Sequence, residues 1–157
     1  MKLNEYIQFR RKELGLTQKD VADALNYTVQ AISKYEKGLS PLSSSSLIPM
    51  AKVLKVDVDS LLRCETKKEN DLAELKTFSS QLFAKNFKYL REVHNLTQKE
   101  VATLLKIPYQ SVFNWEKEKS VPKTPALIGI TELFDVSATS IMLTNIKEER
   151  HKAELRS

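Results

Sequence analysis

Residues 16–22 read LTQKDVA, and residues 96–102 read LTQKEVA. Six of the seven positions are identical, and the seventh exchanges one acid for another. The agreement extends well beyond the stretch. Shifted by 80 residues, Arg11 falls on Arg91, Leu25 on Leu105, Gln30 on Gln110, and Glu36-Lys37 on Glu116-Lys117. Ile32 meets Val112, Tyr35 meets Trp115, Val56 meets Val136, and Ser60 meets Ser140. No gap is needed from about residue 3 to 62 against 83 to 142. The pattern is that of a duplicated unit of about 60 residues, the small end of what folds alone. A solenoid would need several shorter repeats.

Each copy breaks into five helical segments. In the first, Leu3, Ile7, Arg11 and Leu14 keep a helical rhythm until Gly15, which accepts the left-handed conformation that ends a helix. Asn95, the other residue type that tolerates it, takes that place in the second copy. Thr17 is the cap of the next helix, with Asp20 as a short capping-box acid; Thr97 with Glu100 is the fuller form. That helix runs to about Leu25, a turn follows at Asn26-Tyr27, and a third helix runs from about Thr28 to Lys37 before Gly38. Segments 44–55 and 58–63 add two more, with Val53, Leu54, Val56, Leu61 and Leu62 as expected core. Pro49 suits a first turn better than a helix middle. The predicted organisation is all-α: one domain over 1–63, a partly helical linker over 64–82, a second domain over 83–145, and a tail over 146–157.

Composition narrows the function classes. The 157 residues are 41% apolar and 29% charged, with three Gly and five Pro, as expected of a mostly helical globular protein. No apolar run approaches the ~20 residues of a membrane helix. The charged, amphipathic start MKLNEYIQFRRKELG does not read as a signal peptide. Cys64 is the single cysteine and forms no internal disulfide, so a cytoplasmic protein is expected. The net charge of +5 is compatible with a polyanionic partner. It resides mainly in the repeats: net +3 over 1–63 and +2 over 83–145, against −1 over 64–82. His94 and His151 are too isolated for a metal site or catalytic base. No nucleophile triad or Gly-rich phosphate loop is present, so neither enzyme, cofactor nor metal is expected.

A helix, a short turn and a second helix form a helix-turn-helix motif. Ala22 and Ala102 supply the small residue where two helices cross, and Asn26 the turn, with Lys106 at its place in the second copy. Ile32 and Tyr35, or Val112 and Trp115, anchor one face of the third helix. Gln30, Ser33 and Lys34, or Gln110, Ser111 and Asn114, leave the other polar. The stretch LGLTQKDVADALNYTVQAISKYEKG resembles the helix-turn-helix of the phage-repressor family, lambda Cro/CI-like and also called the xenobiotic-response-element family. The resemblance covers about residues 3–63 and again 83–143, and implies two tandem five-helix lambda-repressor-like DNA-binding domains.

The resemblance also implies roles. Gln18 and Gln98 would bond a DNA phosphate from a helix N-terminus. The third helix would enter the major groove, placing Thr28, Val29, Gln30 and Lys34, and in the second copy Tyr109, Gln110, Ser111 and Asn114, at base edges or nearby phosphates. Gln and Asn suit adenine, and Val suits a thymine methyl. Lys19, Lys37, Lys99, Lys117 and Lys123 are expected at phosphates. Arg11 with Glu36, and Arg91 with Glu116, resemble the family's buried salt bridge and are assigned to the scaffold.

The copies differ in telling places. Pro108 replaces the capping Thr28, and Glu118 replaces Gly38, so the third helix of the second copy is expected to end differently or run on. Phe113 stands where a polar residue is expected, and three placements stay open: a thymine methyl, the linker, or a protein partner. Ser43–Ser46 reads as loop and N-cap. Leu72, Leu75 and Phe78 read as packing that extends the linker as a helix. The tail is expected as charged and solvated, although its Glu148–Lys152 spacing permits a helix.

A sequence-specific, double-stranded-DNA-binding transcriptional regulator is therefore expected, a repressor reading an asymmetric composite site. At about 3.3 Å per residue, the linker spans the ~34–36 Å between half-sites. Tethering then raises avidity by ~10²–10⁴. The alternative is that the first domain binds DNA while the second serves dimerisation or binds a protein partner such as a toxin or anti-repressor.

Overall fold

The computed structural model describes residues 1–65 and 78–157, and the chain divides into two units, Met1–Lys76 and Thr77–Ser157. Leu72 and Leu75 lie outside the described residues. In the first unit, α1 (Leu3–Glu13) stops where Gly15 takes φ +71°, and the Leu16 N–H closes the end on the Arg11 carbonyl. α2 (Gln18–Leu25) starts on a complete capping box: Thr17 Oγ1 accepts from the Asp20 N–H, and Asp20 accepts from the Thr17 N–H. Asn26, left-handed at φ 56°, ends it, and Thr28 caps α3 (Val29–Glu36). α4 (Ser44–Leu54) and α5 (Val58–Arg63), capped by Asp57, complete the unit.

Pro49 sits inside α4 rather than in its first turn. A mid-helix Pro costs about 3 kcal/mol. Leu47, Ile48, Met50, Ala51 and Leu54 are all buried on that helix, and at roughly 1.5–3 kcal/mol for each large apolar side chain their burial outweighs it. Val56 and Leu61 join this core, whereas Val53 and Leu62 are only half-buried.

The second unit repeats the arrangement with α6 (Ser80–Val93), α7 (Gln98–Leu105), α8 (Tyr109–Glu116), α9 (Thr124–Phe134) and α10 (Ala138–Leu143). α6 begins three residues ahead of the repeat, capped by Ser79. The core is more aromatic: Phe87 lies 5.9 Å from Phe83, 5.7 Å from Trp115 and 6.1 Å from Phe134, ring centre to ring centre. Pro108 leaves α8 without a side-chain cap, as expected. His94 ends α6, its Nδ1 2.7 Å from the Leu90 carbonyl.

One expectation is corrected here. α8 does not run on: it ends at Glu116, in register with Glu36, and Glu118 takes the left-handed φ of 61° in place of Gly38 at 70°. A side chain at Gly38 would sit 3.2 Å from the Asn4 amide, which itself bonds the Glu36 carbonyl. Ala84 replaces Asn4 in the second copy, so that amide is gone and only the strain of the left-handed backbone remains.

The tail is exposed throughout 147–157, as expected, and it is helical. It forms α11 (Ile146–Arg156), capped by Asn145, with Ile146 buried. Asn86, itself buried, holds the junction: its Nδ2 donates to the Ile141 and Thr144 carbonyls at 2.8 and 2.7 Å, and its Oδ1 accepts the Ile146 N–H at 3.1 Å. Tyr6 occupies the matching place in the first unit and donates instead to the Glu65 carbonyl. Asn86→Ala should strand all three groups. The terminus can open to water, so the expected loss is about 1–3 kcal/mol rather than their sum. Amide exchange checks it: protection at Ile146 should fall first, while that of Val101 and Val112 holds.

Candidate nucleic-acid interface

The interface is built on the back-to-front asymmetry of α3 and α8. Ile32 and Glu36 bury one side of α3, while Thr28, Val29, Gln30, Lys34 and Lys37 are exposed on the other. On α8, Val112 and Trp115 are buried, Tyr109, Gln110 and Lys117 are exposed, and Ser111, Phe113 and Asn114 are half-buried. The expected reading residues thus share the outward side of one helix in each unit. Gln110 Nε2 donates to Asn114 Oδ1 at 3.0 Å, one turn along α8. Lys34 occupies the position of Asn114 in the first unit, so the two polar faces differ in charge as well as in shape.

The Arg–Glu pairs lie directly behind these faces. Arg11 Nε donates to Glu36 Oε1 at 2.5 Å and Nη2 to Oε2 at 3.0 Å, with side-chain exposures of 9% and 1%. Arg11 Nη1 also donates to the Leu16 carbonyl, so one guanidinium ties α1, the turn before α2, and α3. Arg91 repeats each bond with Glu116 and the Leu96 carbonyl. Burial pushes the Glu36 carboxyl up, but hydrogen bonds from Arg11, Gln18 and Gln8, with the Arg11 charge, outweigh it and hold it below the usual carboxylate value.

Gln18 and Gln98 belong to the same networks. Gln18 Nε2 donates to Glu36 Oε2 at 2.9 Å, and Gln98 Nε2 to Glu116 Oε2 at 2.7 Å. This bond fixes each amide at the start of its helix and leaves one N–H and the amide oxygen for another partner. The link spans 18 residues and has no local sequence pattern, so sequence reasoning reads Gln18 and Glu36 as separate. Gln8, which also reaches Glu36 at 3.5 Å, is missed for the same reason; Lys88 stands at its place in the second copy.

The lysines are less uniform than expected. Lys19 pairs with Asp23 at 2.7 Å, an exposed i,i+4 bridge worth little against a phosphate. Thr103 replaces Asp23 in the second copy and bonds the Lys99 carbonyl, so Lys99 lacks that acid. Lys117 Nζ lies 5.8 Å from the Phe113 ring centre, and Lys119 Nζ 5.6 Å. Lys123 is exposed at the start of α9. Among the described residues no group of three or more His, Cys, Asp or Glu is placed to hold a metal ion, and no helix is long and apolar enough to cross a membrane.

A family model described as helix-turn-helix matches the chain twice, over residues 7–61 and 87–141. Two curated relatives, uncharacterized HTH-type transcriptional regulators of Sinorhizobium medicae (strain WSM419) and Rhizobium meliloti (strain 1021), are each 38% identical over 52 residues. The match takes in 33% of this chain and 37% of each relative, well short of the relatives' full length. No solved structure matches the chain.

Proposed function

The chain belongs to the helix-turn-helix family, and from that premise we propose that it is a double-stranded-DNA-binding transcriptional regulator acting as a repressor. Residues 1–63 and 83–145 each read one half of an asymmetric composite site, with 64–82 as the tether and 146–157 as an appended tail. The observation that carries the reading is the pair of outward faces on α3 and α8, in the same register on matching scaffolds but with different side chains. Gln30 and Gln110 are exposed where a helix in the major groove meets base edges. Gln18 and Gln98 stand at helix N-termini, where backbone N–H groups and the helix dipole favour a phosphate. Lys19, Lys37, Lys99, Lys117 and Lys123 neutralise the backbone. No catalysis and no cofactor are assigned.

Selection of a random duplex library by the full chain, followed by titration of the winner over a salt series, tests the reading. One enriched, non-palindromic sequence is expected, with log affinity falling linearly in log salt at roughly −0.9 per phosphate contacted. No enrichment, or affinity indifferent to salt, overturns it.

A second reading has its own observation. Leu104 on α7 is 54% exposed where the first unit carries Ala24, a large apolar group facing outward. It supports a protein-binding or dimerising role for the second unit, with DNA left to the first. Light scattering on the full chain separates the two: a dimer dispersed by Leu104→Glu favours this second role.

A further inference from the structure

We infer that Phe113 is a specificity-determining residue of the second unit and selects thymine through its C5-methyl group. The inference rests on the major-groove reading proposed above. Phe113 is half-buried, yet the aromatic cluster of the core does not include it: Phe87, Phe83, Trp115 and Phe134 pack among themselves. Its ring partners instead come from α8 and the turn behind it. The Tyr109 ring lies 6.4 Å away, centre to centre, and the ammonium groups of Lys117 and Lys119 approach within 5.8 and 5.6 Å. Tyr109, Phe113 and Lys117 follow one another at four-residue spacing, beside the outward pair Gln110 and Asn114. The ring therefore flanks the polar side chains that face away from the core.

The first unit carries Ser33 at this position and Leu39 at that of Lys119, so the whole arrangement is peculiar to the second unit. The thymine methyl is the apolar group that base edges offer in the major groove, and Phe is among the side chains that meet it. The lysines do not block this. A phosphate oxygen offers a full negative charge where the ring offers only a quadrupole, so DNA draws both ammonium groups away and uncovers the ring. Gln110, steadied by Asn114, then reads the neighbouring base by hydrogen bonds. Removing one methyl from such a contact should weaken binding about fourfold.

The test uses the full chain and the duplex it selects from a random library, remade with deoxyuridine for thymidine in one half at a time. The wild type should lose about fourfold in affinity for each contacted methyl in the half bound by the second unit. Phe113→Ser, which installs the first unit's residue, should abolish the uracil penalty in that half alone. Phe113→Leu should keep it. Unchanged helix content and Trp115 fluorescence confirm that the variants are folded. The inference is overturned if uracil carries no penalty in either half, if the Ser variant keeps the wild-type penalty, or if the second unit's half contains no thymine. A chain that enriches no sequence overturns the proposed function together with this inference. A chain that enriches a sequence but ignores its methyls overturns this inference alone.

Discussion

Glu36→Ala should leave the first unit barely stable while the second stands unchanged. The substitution strands the Arg11 guanidinium, whose side chain is 9% exposed, and removes the acceptor shared by Gln18 and Gln8. Breaking a buried pair by deleting one partner costs about 3–5 kcal/mol. A domain of this size has only about 5 kcal/mol or slightly more to lose. The single tryptophan, Trp115, lies in the second unit and separates the two events. Circular dichroism in urea should show the helix content of the first unit lost at low denaturant, with the midpoint of Trp115 fluorescence unmoved. An unchanged dichroism midpoint would mean that the pair contributes nothing to stability.

Glu116→Ala should be milder. Its pair is more exposed, at 13% and 5%, and Lys88 stands at the place from which Gln8 adds a bond to Glu36. Acid should also weaken the first unit. Glu36 is held below its ordinary value of 4.5. Its stabilisation is therefore complete above that value and is lost as pH falls through the lower folded-state value. Asp57, the α5 cap, is also held low: burial raises it, but bonds from Ser60 win. The dichroism midpoint of the first unit should drop on acidification below about pH 4.5, the ordinary value of Glu36.

The second large effect concerns DNA. Gln30→Ala and Gln110→Ala should each lower affinity for the selected duplex by ~1–3 kcal/mol, or roughly 5- to 150-fold, with the loss of discrimination confined to that unit's half. Neither glutamine is buried, so stability should not change. Combined, the losses should approach additivity because the residues lie in separate units. Electrophoretic titration of wild-type and half-site-mutated duplexes measures this. A neutral Gln110→Ala beside a damaging Gln30→Ala would remove hydrogen-bond reading by Gln110 from the second unit.

Much of this architecture is legible because its causes are local. Thr17 with Asp20, Thr97 with Glu100, and Gly15 or Asn95 at a left-handed stop each act within one turn of chain. The repeat doubled that evidence by placing the same signals 80 residues apart. Arg11–Glu36 was recognisable only through a family resemblance, because its two members lie 25 residues apart. Where the copies disagree, local rules mislead. Glu118 reads as a failed helix stop, yet it adopts the left-handed turn, and Ala84 stands where Asn4 crowds Gly38.

The sequence by itself determined the duplication, the five helices of each copy, the Thr17 and Thr97 caps, and which side of α3 and α8 is polar, because most of these follow from interactions within about four residues. Only the tertiary structure decided that Gln18 hangs on Glu36, that Asn86 docks the C-terminal helix across 60 residues, and that Phe113 stands outside the core under two lysines. The first two contacts join groups remote in sequence, 18 and 60 residues apart. They exist only where helix packing offsets the entropy cost of closing the chain between them.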